Sequence, residues 1–190
     1  RTQTWTDDPA TVIATFLVAP MAPMAVPVNR GITTIDWSNG ATNGYINYGD
    51  GWTFNNPYHI HAYREAGLYR LTQNVWGPGG SHTWPPFIAV LPARAAQDLG
   101  TISSSTLTDQ TPTNTTLWYS FQVANDGAFT AAVAGAGVGA NTAMALCTFS
   151  NGLYSLQATG DTSLAVASVS AGTTYYLMIA GLEGNVDVTL

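Results

Sequence analysis

Apolar and polar residues alternate along much of this chain with a period of two, the pattern of strands that bury one face. Gly31–Trp37 sets Ile32, Thr34 and Asp36 against Thr33, Ile35 and Trp37. Leu117–Val123 sets Leu117, Tyr119, Phe121 and Val123 against Trp118, Ser120 and Gln122. Thr11–Ala19 is apolar and β-branched and stops at Pro20. Gly44–Tyr48 follows an Asn-Gly pair and runs into Asp50-Gly51, both hairpin signals. Leu68–Trp76 reads as one long strand ended by Gly77-Pro78-Gly79-Gly80. Pro85-Pro86 mark Thr83–Leu91 as an edge strand or a bulged one. Beyond Val123 the same style predicts strands at Ala128–Ala134, Thr142–Phe149, Leu153–Ala158, Leu164–Val169, Thr173–Ala180 and Val186–Leu190. Helical spacing is confined to residues 92–99, enough for one or two turns and too short to stand alone.

Short strands separated by turns, about seven in each half, predict an all-β protein of two tandem β-sandwich domains. The distribution of charge supports a division. All five basic residues lie at or before Arg94, where five acidic residues balance them. After Arg94 come only Asp98, Asp109, Asp126, Asp161, Glu183 and Asp187, so the net charge of -6 belongs to the second half. All three histidines and five of the six tryptophans lie in the first half. The border is therefore placed near Pro92–Ala95, giving domains 1–93 and 94–190 of the 190 residues.

Composition then removes whole classes of chemistry. No lysine is present, which excludes Schiff-base catalysis and the phosphate-binding lysine of a P-loop. The single cysteine, Cys147, excludes an intramolecular disulfide and a cysteine-rich zinc site. Charged residues make up 8% of the chain, and the sequence pI of 4.6 speaks against nucleic acid, whose phosphates need clustered Lys and Arg. No stretch of 18 apolar residues exists, so no membrane insertion is expected. Ala14–Val28 is broken by Pro20, Pro23 and Pro27 and lacks a basic n-region, so it does not read as a signal peptide. Whether a leader precedes Arg1 stays open.

Residues 10–91 resemble a PKD domain, an immunoglobulin-like sandwich of extracellular proteins. The resemblance rests on Tyr48-Gly49-Asp50-Gly51, on His61-Ala62-Tyr63, and on Ala66-Gly67-Leu68-Tyr69 at the opening of the next long strand. Ile46 stands where the family usually has Trp. Residues 97–190 resemble a bacterial pre-peptidase C-terminal domain, a jelly-roll-like sandwich appended to secreted proteases. Trp118-Tyr119-Ser120-Phe121-Gln122-Val123, Ala143-Met144-Ala145-Leu146 and Ser170–Leu177 carry it. Some members hold calcium through acidic ligands that have no clear counterparts here, so no cofactor is expected. The resemblances imply binding or spacer modules.

Candidate chemistry is sparse. His59 and His61 stand two apart, so on a strand they share a face, as metal ligands can. No carboxylate spacing completes a site with them or with His82, and His61 is also the histidine of the PKD-like motif, so no metal is expected. Asp50 and Glu65 both sit in turn motifs that account for them, and no Gly-x-Ser-x-Gly elbow exists. Gly135-Ala136-Gly137-Val138-Gly139 lacks the helix that a dinucleotide fingerprint needs and reads as an inter-strand loop. Cys147 on its alternating strand reads as a small buried hydrophobe. No catalytic residue is assigned.

Trp52, Phe54, Tyr58, Trp76 and Trp84 cluster around the turns of the first domain with Asn and Asp neighbours, which suits stacking on sugar rings or anchoring a protein contact. The expectation is a non-enzymatic surface structural or binding protein. Its first setting is a bacteriophage virion, as a decoration protein touching capsid or tail proteins and a host-surface glycan, with residues 2–28 as the arm that meets the shell. The alternative is a set of accessory glycan-binding domains on a secreted bacterial hydrolase or adhesin. Location is virion surface or extracellular, and assembly into a homo-oligomer stays open.

Overall fold

The computed structural model describes residues 16–19, 24–36, 38–55, 58–78, 80–84 and 87–190. Among these the chain forms strands and no helix. The first ten are β1 (Phe16–Ala19), β2 (Met24–Pro27), β3 (Gly31–Asp36), β4 (Asn43–Asn47), β5 (Thr53–Phe54), β6 (Tyr58–Ala62), β7 (Gly67–Arg70), β8 (Thr72–Gly77), β9 (Gly80–Trp84) and β10 (Phe87–Leu91). The rest are β11 (Gln97–Ile102), β12 (Thr106–Gln110), β13 (Leu117–Val123), β14 (Gly127–Ala134), β15 (Val138–Ser150), β16 (Leu153–Gly160), β17 (Ser163–Val169), β18 (Thr174–Leu182) and β19 (Val186–Thr189). They divide between two compact units that are discontinuous in sequence. Unit 1 takes Arg1–Ala22, Gly31–Ala62 and Tyr69–Phe87; unit 2 takes Pro23–Arg30, Tyr63–Leu68 and Ile88–Leu190.

Unit 1 contains a three-stranded sheet in the order β1-β3-β6 and a four-stranded sheet in the order β5-β4-β8-β9. Alternation turns one face of each inward. Ile32 and Thr34 of β3 and His61 of β6 are buried, as are Ile46 of β4 and Gln73 and Val75 of β8. Tyr48 and Leu71, at the strand ends, are fully buried with them. At Gly49 the backbone is left-handed (φ 79°), and a Cβ there would lie 2.8 Å from the Arg70 carbonyl, so no other residue fits.

Unit 2 is a sandwich. One layer is the sheet β12-β19-β14-β17; the other belongs to the order β11-β13-β18-β15-β16-β2-β10-β7. The core between them comes from alternate residues of both layers. Tyr119, Phe121, Met144, Leu146, Leu177 and Ile179 face Phe129, Ala131, Val133, Leu164, Val186 and Val188. The opposite face of the larger sheet buries Trp118, Ala145, Cys147 and Met178 with Ala25, Ala89 and Leu91. Those last three arrive because β2 runs parallel to β10 and its Met24 and Ala25 pair with Ser155 and Tyr154 of β16. Tyr175 ties a turn to the core between the layers: its hydroxyl accepts the Ser170 N–H at 2.9 Å.

Several expectations change in detail. Leu68–Trp76 is not one strand, because Leu71 interrupts it between β7 and β8. Residues 92–99 form no helical turn; Gln97 already opens β11, which pairs parallel with β13. With few apolar positions, β11 and β12 alternate too weakly to show in the sequence. Gly139 belongs to β15, leaving residues 135–137 as the turn. Of residues 2–28, read as an arm, 16–19 form β1 and 24–27 form β2, while 1–15 and 20–23 lie outside the described residues.

Cys147 is fully buried, and desolvation raises its thiol pKa to about 12. An aromatic disulfide reagent at pH 8 should leave the native protein unlabelled and react with one thiol per chain only after denaturation. Fast labelling of the native state would contradict this packing.

Candidate functional site

The interior of unit 1 is organised by a chain of polar and aromatic contacts. The Thr34 and Tyr48 hydroxyls are 2.8 Å apart, linking β3 to the end of β4. Thr34 also reaches the His59 carbonyl at 3.4 Å, so its remaining capacity is to accept, and Tyr48 donates. Burial, ahead of other influences, raises the Tyr48 pKa above the usual phenol range. The Tyr48 ring stacks on His61 with centroids 4.1 Å apart. His61 Nε2 lies 2.7 Å from Asp50 Oδ2; a carboxylate only accepts, so that nitrogen carries the proton. Asp50 Oδ1 accepts the Trp52 N–H at 3.2 Å, closing the Asx turn. Asp50 and His61 thus fix the turn that leads into β5.

Beyond this turn lies a cavity of about 230 Å³. Tyr45 of β4 and Phe54 of β5 supply aromatic walls, while Ser38, Asn43, Asn55 and Gln73 supply polar ones. None of its lining residues is charged. Phe54 is steadied by His59, its ring stacked at 3.6 Å and 17°. Tyr45 meets Trp76 edge-on at 6.1 Å. The polar groups differ in depth. Asn43 and Asn55 are exposed, whereas Gln73 is 1% exposed. Gln73 Nε2 donates to Ser38 Oγ at 3.1 Å, and its Oε1 has no partner among the described residues.

The five aromatics singled out in the sequence do not form one surface patch around this cavity. Phe54 lines it, and Trp76 is joined to it through Tyr45. Trp52, 65% exposed, projects at the turn before β5, and Tyr58, 55% exposed, opens β6 on the other sheet; neither is a wall of the cavity. Trp84 lies in β9 opposite Gln73 in the backbone register, and its side chain is outside the described residues. Tyr45, Asn43, Asn55, Ser38 and Gln73 were missed. Gln73 had a signal, since it interrupts the inward row Leu71, Gln73, Val75 with an amide. The others are ordinary Asn, Ser and Tyr until β4, β5 and β8 bring them together.

Among the described residues, no group of three or more His, Cys, Asp or Glu is placed to hold a metal ion. His59 and His61 point inward together, but one stacks on Phe54 and the other binds Asp50. No helix is long and apolar enough to cross a membrane, as judged over the described residues.

Comparison with known proteins gives limited similarity. No family model matches the chain. No curated protein matches it either. Among solved structures, one of the carbohydrate-binding modules from the β-sandwich superfamily, described for promiscuous specificity, aligns over 94% of this chain and 95% of its own at 14% identity, with a TM-score of 0.38. A Bacteroides uniformis β-glucuronidase aligns over 93% of this chain at 7% identity, with a TM-score of 0.32. A calcium-binding mutant of β-glucuronidase 2 from the same organism aligns over 93% at 8% identity, also with a TM-score of 0.32. The chain spans 30% of the length of each glucuronidase. Similarity at this level assigns neither ligand nor activity.

Two outcomes follow from the interior contacts. Asp50→Ala leaves the mostly buried His61 ring without its acceptor, and should lower unfolding free energy by roughly 1–3 kcal/mol in urea titrations. Partial burial, with His61 next, holds His59 below its ordinary pKa of 6.5. The unfolded chain therefore binds this proton at higher pH than the folded one. The stability this site contributes is complete above about pH 6.5 and is lost as pH falls through the folded value. The fall in melting temperature from pH 7 to pH 5 should be shallower in His59→Phe than in the parent; an unchanged slope would contradict it.

Proposed function

We propose that this is a non-enzymatic surface binding protein that holds a neutral glycan on unit 1, at the cavity walled by Tyr45 and Phe54. The observation that carries the reading is the chemistry of that lining: aromatic rings beside hydroxyls and amides, with no charge. Sugars present apolar C–H faces that pack on aromatic rings and hydroxyls that both donate and accept. A phosphate, sulfate or carboxylate ligand would call for a cation in the lining. Asp50 is committed to His61 and to its own turn, which fits a binding role better than general acid or base work.

The setting is a finer proposal. The first setting is decoration of a phage capsid or tail; the charge distribution is compatible with it, a neutral half making the contact and an acidic half keeping particles apart. Accessory domains of a secreted hydrolase or adhesin are the alternative. Mixing the chain with undecorated shells separates them, since stoichiometric binding is expected only in the first.

The ligand class is tested on an array of immobilised neutral and acidic glycans probed with the full chain. Neutral glycans should be retained, and Tyr45→Ala or Trp76→Ala should weaken retention about tenfold, or ~1.4 kcal/mol. Retention of acidic glycans alone, or of none, would sink the reading.

A further inference from the structure

Resting on that reading, we infer that the cavity takes the end of a glycan chain, one terminal neutral pyranose ring inserted with its hydroxyls against the buried amide of Gln73. Three observations on unit 1 converge here.

The first is a buried polar group with no partner among the described residues. Gln73 sits on the inward face of β8, opposite Ile46 in the register, where its neighbours in the same row are Leu71 and Val75. A buried amide with an unpaired atom is unfavourable unless something else occupies that atom's hydrogen-bonding capacity. Turning the amide over does not remove the problem. Ser38 would then donate to the carbonyl oxygen, and the Gln73 amide nitrogen would be the unpaired group in turn. Gln73 is one of the residues that line the cavity, and no described residue meets this capacity. A sugar hydroxyl suits either orientation, because it donates and accepts.

The second is size. A volume of about 230 Å³ lies below the roughly 300–1,000 Å³ of pockets that enclose drug-sized ligands. That suits one ring better than two in succession. The third is the gradient of exposure. Gln73 at the floor is buried, Tyr45 and Phe54 are half-buried, and Asn43 and Asn55 at the rim are exposed. A ligand that reaches Gln73 must enter past the rim with its remaining units outside. A chain lying lengthwise across the exposed rings would not touch the amide.

The inference places Gln73 as a binding residue at a site where it does not improve the fold. Titration calorimetry with the full chain tests it, using free glucose, mannose and N-acetylglucosamine together with cellohexaose, mannohexaose and chitohexaose. For at least one sugar, the monosaccharide should bind within about threefold of its hexasaccharide. Gln73→Met, nearly isosteric and apolar, should weaken that binding at least tenfold while leaving the melting temperature unchanged or higher. Asn55→Ala, at the exposed rim and clear of the core, should weaken it several-fold with no change in melting temperature. Silent monosaccharides with tight hexasaccharides would overturn end-on insertion and leave glycan binding standing. Failure of all the neutral probes would overturn both readings. A Gln73→Met variant that binds normally, or that melts well below the parent, would remove Gln73 as the anchor.

Discussion

The Tyr48 hydroxyl is buried between two sheets, and everything proposed for unit 1 depends on how it is accommodated there. Unpaired, it would be costly in that interior. Thr34 from the facing sheet meets the hydroxyl, His61 stacks on the ring, and Asp50 holds His61. One contact leads to the next until it reaches the turn at residues 49–52. Because that turn is fixed from inside, β5 is presented in one position, and Phe54 and Asn55 with it. The cavity walls are thus set by a buried polar chain rather than by the residues that line them.

That arrangement separates two kinds of buried polar group. Thr34, Tyr48, His61 and Asp50 are satisfied by one another and act as structure. Gln73, on a neighbouring inward position, has one polar atom satisfied by Ser38 and one with no partner among the described residues. A satisfied network specifies a core, whereas an unsatisfied group in a cavity wall is the kind of local inconsistency that functional sites carry. Unit 2 offers a useful contrast. Its interior is almost wholly apolar, and its Tyr119 hydroxyl is paired to Gln110 at 3.1 Å, with burial lifting the pKa to about 12.

Strand positions in the second half were readable because both ingredients of the signal were strong there. Alternation was clean over Leu117–Val123 and Ala128–Ala134, and Gly, Asn or Asp ended each run, so β13 to β19 lie close to where the pattern put them. In the first half the break at Leu71 has no composition cue, since a fully buried leucine between two strands looks like any strand residue. The motif around Asp50 was legible as a turn with a side-chain acceptor, and Trp52 N–H does bond to it. Aromatic character alone does not gather residues at one cavity: Phe54 lines it and Trp76 reaches it only through Tyr45, whereas Trp52 and Tyr58 line no part of it.

By itself the sequence determined the all-β character, the turn at Asp50-Gly51, the burial of Cys147 and the neutrality of the region that forms the cavity. These depend on period, residue type and charge, all of which are local. Tertiary structure alone decided that β2 joins the sheet of unit 2 through β10 and β16, and that Ser38, Tyr45, Phe54, Asn55 and Gln73 share one cavity. Period-two alternation tells which face a residue takes but not which strand lies beside it. Pairing is settled by the packing and register of segments far apart in sequence, and so is every site built across them.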